Sequence, residues 1–316
     1  MTTRHLVDSE LLPLLELMPG FPFTAETLPA IREASAGRFA FLGEPPLKAE
    51  VKVIDGPAGA LEVYWYDPAP GVANRPALLH IHGGGMVIGS ARTMQHGPAG
   101  MAVALGIPVA SVEYRLAPEH PFPAPQEDCL AALNWLAGSA DVLGVDAARI
   151  GIIGESAGGG LAAAVAQMAR DQGSPALAAQ ILVYPMLDHR TGSEACPYDN
   201  AGTGEFVWTR QANRFGWAAL RGDYACDDAR KGWFSPSLAS DLTGLPPCWI
   251  GTGSLDLFLD EDLDYARRLI AAGVPVELHS YPGAIHAFNA VAEAQVAKAF
   301  NRDMLGAIAR MLKIGS

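Results

Sequence analysis

From residue 48 onward, short apolar runs alternate with longer stretches of helical period. Alternating positions around Glu50 to Tyr66 predict a hairpin-like pair of strands, and apolar runs predict further strands near 76–81, 108–114, 149–153, 179–184, 247–253 and 276–281. Between them, helices are predicted near 125–137, from Leu161 onward, from Phe258 to Ala272, and at the end of the chain from Ala287-Phe288. Strands and helices in strict alternation build a mostly parallel central sheet with helices on both faces, an α/β architecture. Two segments break the rhythm. In residues 1–47, Leu11, Leu12, Leu14, Leu15 and Leu17 suggest an amphipathic helix, followed by a second from Ala25 to Ala34; residues 189–240 are rich in polar and aromatic side chains. Both read as helical cap segments over a core formed by 48–188 and 241–316. Most cap rings are expected to pack on one another. Phe206, Trp208 and Phe215 are the candidates for lining a substrate-binding pocket.

Composition narrows the range of partners. The 316 residues carry 34 acidic against 22 basic side chains, a net charge of −12, which would repel a phosphate backbone and so argues against a nucleic-acid partner. No window of about eighteen apolar residues is present, so no membrane span is expected. The first ten residues contain no unbroken apolar stretch and carry acidic residues, so no secretory signal is expected there. Cys129, Cys196, Cys226 and Cys248 are scattered, without the paired spacing of structural zinc. Cys196 and Cys226 share the 189–240 segment and are the one pair that could bridge, but free thiols in a reducing, cytoplasmic setting are the simpler expectation.

The chemistry begins at Gly154-Glu155-Ser156-Ala157-Gly158, directly behind the apolar run Arg149 to Ile153 and directly ahead of the stretch from Leu161 to Ala166. By composition alone such a pattern arises roughly 0.1 to 0.2 times in a chain of this kind, so its flanks decide its meaning. A strand that passes into a helix through a single residue forces that residue into a left-handed conformation and demands tiny neighbours. The turn is therefore expected to lift the Ser156 hydroxyl above the sheet into solvent-accessible space, as a nucleophile.

Upstream, the strand at 76–81 runs into His82-Gly83-Gly84-Gly85. Glycines leave main-chain N–H groups uncovered, as the oxyanion of an acyl-transfer intermediate requires, and each such donor is worth roughly 10² to 10³ in rate. Gly84 and Gly85 are the favoured donors, with Gly83 a looser one and the N–H of Ala157 completing the oxyanion hole. A serine nucleophile needs a base, and the base an acceptor. Of eight histidines, His286 lies in a loop behind a predicted strand, where α/β sheets build their sites. His5 and His189 read as solvated, His82 as a brace for the glycine loop, His279 as a strand residue, and His80, His96 and His120 as structural. Asp256, at the end of the predicted strand 247–253, is the acid. Asp260 competes, but the run Asp260-Glu261-Asp262 reads as charge complementing a helix N-terminus. The order Ser156, Asp256, His286 is that of α/β hydrolases.

Taken with Tyr114-Arg115-Leu116-Ala117-Pro118-Glu119-His120-Pro121-Phe122-Pro123-Ala124 and Tyr184-Pro185-Met186-Leu187-Asp188, these motifs resemble those of the bacterial hormone-sensitive-lipase-like carboxylesterases over residues 45 to 290. The resemblance implies an α/β-hydrolase fold with a helical cap, hydrolysis of a small-molecule carboxylic ester through an acyl-enzyme, no cofactor and no metal. It also implies a homodimer through the edge strand near 275–281. Where many members have proline after the triad aspartate, this chain has Leu257, which loosens the turn but leaves the carboxylate. A closed cap favours short- to medium-chain esters. The same triad serves amidases, lactonases and specialised deacetylases, and a non-catalytic ligand-binding protein on this scaffold is a further alternative.

Overall fold

In the computed structural model, which describes residues 2–18, 20, 22–37, 43–173 and 175–315, the sheet has eight strands in the order β1-β2-β4-β3-β5-β6-β7-β8. They are β1 (Glu50–Gly56), β2 (Gly59–Tyr66), β3 (Arg75–Ile81), β4 (Val109–Val112), β5 (Val145–Glu155), β6 (Ala179–Val183), β7 (Cys248–Gly253) and β8 (Val276–Tyr281). The first two form an antiparallel hairpin, and β2 runs antiparallel to β4. All other neighbours are parallel, so β3, β5, β7 and β8 end on the same edge of the sheet. In an open parallel sheet that edge is where loops gather side chains into a site.

Helices cover both faces. On one side α4 (Ala124–Gly138), α6 (Ala157–Gln172) and α9 (Leu259–Ala271) bury Leu133, Leu161, Val165 and Leu269 against Leu79, Ile81 and Ile152. On the other, α3 (His96–Leu105) and α10 (Gln295–Met311) pack Ala102, Phe300 and Ile308 against Leu78, Ile153 and Trp249. Strand β3 is buried at every position, as a strand sandwiched between helix layers must be. The remaining helices are α1 (Leu12–Leu17), α2 (Leu28–Gly37), α5 (Ala140–Leu143), α7 (Arg210–Arg221) and α8 (Lys231–Phe234).

Boundaries near both ends of the chain differ from the sequence reading. The terminal helix opens at Gln295, not at Ala287-Phe288; Ala287 has φ +60°, and Phe288–Ala290 form only a 3-10 turn. A left-handed residue cannot continue into a helix, and this one releases the loop that carries His286. The leucine-rich stretch near the N-terminus forms just six residues of α-helix, with Leu11 and Leu14 buried and Leu17 exposed. All four cysteines are free thiols. No described helix is long and apolar enough to cross a membrane.

Candidate active site

Ser156 stands between the last residue of β5 and the first of α6, with φ 58° and ψ −120°. The strain is held by the surrounding backbone: the Ser156 N–H donates to the Val183 carbonyl at 2.8 Å, and its own carbonyl accepts from Gly160 at 3.0 Å and Met186 at 2.9 Å. The flanking glycines are required by close approach. A β-carbon at Gly158 would collide with the Ile81 carbonyl at the end of β3, and one at Gly154 with the Gly158 carbonyl.

The structure brings three distant residues together. His286 Nε2 lies 2.9 Å from Ser156 Oγ, and His286 Nδ1 lies 2.8 Å from Asp256 Oδ2. Asp256 Oδ1 accepts the Phe258 N–H at 3.0 Å, so both carboxylate oxygens are engaged and the plane of the acid is fixed. Asp260 takes no part: its carboxylate accepts from Asn200 Nδ2. The imidazole is boxed by rings, with Phe258 edge-on at 5.3 Å and Tyr184 at 4.8 Å between centroids. Leu257, in place of the usual proline, is buried and packs on Gly204.

One expectation about Ser156 fails. The elbow stands at the end of β5, but Ser156 is only 6 % exposed. From residues 189–240, Trp208 reaches the site. Its six-membered ring rests on Gly85, where any β-carbon would collide with it, and it lies 6.5 Å from the His286 ring. Phe23, from the N-terminal segment, backs Trp208 edge-on at 5.4 Å. Of the other two pocket candidates, Phe215 packs against Phe23 at 6.0 Å, and Phe206 packs against the apolar cluster that includes Val7 and Leu11.

Opposite the serine, the glycine loop is wired so that its carbonyls turn inward. The Gly84 carbonyl accepts from Val87 and Ile88, and the Gly83 carbonyl accepts from His82 Nδ1 at 2.8 Å. Among the described turn, loop and cap bonds, the N–H groups of Gly83, Gly84, Gly85 and Ala157 are donors in none. Ala157 is the first residue of α6, where the N–H has no partner within the helix. His82 is fully buried, stacks on Tyr114 at 4.2 Å, and has its pKa pushed down to about 4 by burial, so it braces the loop as a neutral ring. Tyr114 Oη donates to the His82 carbonyl at 2.9 Å.

Several residues have environments that the sequence reading did not give them. Glu155, next to the serine, places its carboxylate 3.1 Å from His80 Nε2, whose other nitrogen lies 2.8 Å from Ser111 Oγ. Glu261 and Asp262 lie in the first turn of α9, but both are completely buried, and burial raises the pKa of each well above the usual carboxylate range. Glu261 accepts from the N–H groups of Leu187 and Asp188 and from the Thr191 hydroxyl, tying α9 to the loop after β6. A signal was available: Glu261, Tyr265 and Leu269 recur every four residues, which puts Glu261 on the apolar face. His189 is half-buried beside Trp217 and Phe234, and burial lowers its pKa to about 4.

Parallel strands between helix layers that deliver a serine, an imidazole and a carboxylate to one edge define an α/β hydrolase. A family model described as the alpha/beta hydrolase fold matches residues 78–290. The chain is 36% identical to esterase LipI of Mycobacterium tuberculosis over 293 residues, 90% of this chain and 88% of that protein. It is 34% identical to carboxylesterase NlhH of the same species over 315 residues, covering 91% and 92% of the two chains. The solved structure of a bacterial heroin esterase superposes with a TM-score of 0.89 at 36% identity, covering 98% of this chain and 99% of that one. The chain belongs to the hormone-sensitive-lipase-like carboxylesterases of the α/β-hydrolase family, enzymes that hydrolyse carboxylic esters.

Proposed function

We propose that the protein hydrolyses short- to medium-chain carboxylic esters through a Ser156–His286–Asp256 triad and an acyl-enzyme. His286 Nε2 takes the hydroxyl proton as Ser156 Oγ bonds to the ester carbonyl carbon. Negative charge collects on the former carbonyl oxygen, facing the N–H groups of Gly84, Gly85 and Ala157, with Gly83 as a looser donor. Asp256 fixes the tautomer of His286 and stabilises the imidazolium. As the intermediate collapses, the carbon–oxygen bond to the alcohol breaks, and the alcohol leaves with the proton from His286. Water then gives a proton to His286 as its oxygen bonds to the acyl carbon; the bond from that carbon to Ser156 Oγ breaks, His286 returns the proton to Oγ, and the acid is released. The observation that carries the reading is the pair of bonds at 2.9 and 2.8 Å joining hydroxyl, imidazole and carboxylate on a strained turn. The names of the relatives, esterase and carboxylesterase, point the same way.

Residues 189–240 and the N-terminal segment act as the cap in this reading, and the enclosure of Ser156 beneath Trp208 is what favours small acyl groups. The test is hydrolysis of p-nitrophenyl esters by the wild type and by Ser156→Ala, which is expected to lose roughly 10⁶ in kcat. An undiminished rate in the variant would discard the mechanism. Activity rising steadily from butyrate to palmitate would discard the chain-length claim.

A further inference from the structure

Trp208 is held in place by a chain of buried hydrogen bonds that begins in the core. Its indole Nε1–H donates to Asn213 Oδ1 at 3.1 Å, and Asn213 Nδ2 donates to the Thr191 carbonyl at 2.7 Å. The Thr191 hydroxyl donates to Glu261, on the helix that starts three residues after Asp256. Asn213, Thr191 and Glu261 are each buried to 3 % exposure or less, so every link is shielded from competing water. The same helix α7 that carries Asn213 also carries Gly216, one turn on, where a β-carbon would stand 2.8 Å from the Gly85 carbonyl. Helix α7 therefore presses on the glycine loop, with the indole fixed against Gly85 beside it. A side chain so restrained is poorly placed to act as a swinging lid. It is placed to be a wall.

We infer that Trp208 determines specificity by limiting the size of the ester substituent that passes between the glycine loop and His286, and that Asn213 is the positioning residue that keeps the indole in that place. The inference rests on the ester-hydrolysis reading above. The carbonyl oxygen of a bound ester must approach the Gly84 and Gly85 N–H groups, and the indole already occupies the space over Gly85. One substituent of that carbonyl must then run along the ring. A rigid ring sets a hard limit, and a freed ring sets a soft one. Hydrophobic pockets discriminate one methylene by about ten-fold or more, so removing the wall changes a profile across chain length, not merely the overall rate.

The experiment measures kcat/KM for two series, p-nitrophenyl esters from acetate to decanoate and acetate esters of lengthening alcohols. The enzymes are wild type, Trp208→Ala, Trp208→Phe, Asn213→Ala and the Trp208→Ala/Asn213→Ala double variant. In one series Trp208→Ala is expected to raise the long-to-short ratio by about ten-fold. Trp208→Phe, which retains an aromatic ring and is the safer fold, moves it in the same direction by less. Asn213→Ala is expected to move the ratio the same way in the wild-type background and not at all in the Trp208→Ala background, an outcome that general destabilisation does not produce. Unchanged ratios in both series for active Trp208 variants overturn the inference while leaving ester hydrolysis intact. An Asn213→Ala shift that is absent, or equal in both backgrounds, overturns the positioning role. A wild type inactive on every ester overturns both this inference and the reading beneath it.

Discussion

The glycine loop and elbow, on one side of the site, and the cover formed by the N-terminal segment and residues 189–240, on the other, are built by different means. Around Ser156 the backbone holds the backbone: Val183, Gly160 and Met186 fix the serine, and Val87 and Ile88 fix Gly84. Above it, side chains hold the structure. Arg32 donates to both carboxylate oxygens of Glu119 and to the carbonyls of Val87 and Ala117, Gln211 bonds both ways with the Phe23 backbone, and Thr2 and Thr3 donate to Glu205. Backbone contacts leave little choice of residue, whereas side-chain contacts can be exchanged. In the proposed mechanism the serine and the oxyanion donors sit on the first kind of support, and the wall of the pocket on the second.

That contrast breaks most sharply at the acid of the proposed triad. Asp256→Asn keeps the shape but strips the charge that stabilises the imidazolium, and kcat is expected to fall by about 10⁴ with KM little changed. A fall of less than ten-fold would mean that another carboxylate serves. Next is Gly158→Ala. Its methyl group has no space beside Ile81, so the helix must shift away from the strand, and a loss of about 3 to 5 kcal/mol in chemical denaturation is expected together with most of the activity. A variant of wild-type stability would show that the elbow is less constrained than its backbone contacts imply.

The brace beneath the glycine loop offers a pH test. His82 is neutral in the fold, with its pKa lowered to about 4, against about 6.5 when the chain is unfolded. Between those values the unfolded chain binds a proton that the folded chain does not, so stability falls as pH drops through this window, by up to about 3 kcal/mol at its lower end. His82→Phe is expected to flatten the slope of Tm against pH between 6.5 and 4.5, and an unchanged slope would assign the effect elsewhere. His189 contributes in the same direction. The smallest effect is expected in the cover. Arg32→Ala removes the bonds to Glu119, Val87 and Ala117, at a cost of about 1 to 2 kcal/mol, and should alter KM for bulky esters while sparing kcat for acetate. A kcat loss as large as that of Asp256→Asn would erase the distinction between the two regions.

The strand positions, the elbow and the three residues that meet there were legible in the sequence because each leaves a local mark, whereas the order of the strands in the sheet leaves none. An unbroken apolar run signals a strand between helix layers, and small residues on both sides of a serine signal a turn that tolerates nothing larger. The fate of Asp260-Glu261-Asp262 was not legible, since three acids at a helix start have the same local meaning whether water or a protein interior lies beside them. Here the loop after β6 supplies two N–H groups and a hydroxyl to Glu261, and that loop is seventy-odd residues away.

The sequence by itself determined where the chain turns, which faces are apolar and which side chains can do chemistry, because those follow from steric and periodic rules that act over a few residues. Only the tertiary structure decided that Ser156 is buried, that Trp208 rests on Gly85, and that Phe23 and Asn213 hold it there. The contacts of Phe23 with Trp208 and Gln211 join segments nearly two hundred residues apart, and their energies come from desolvation and geometry that exist only once the chain has closed on itself.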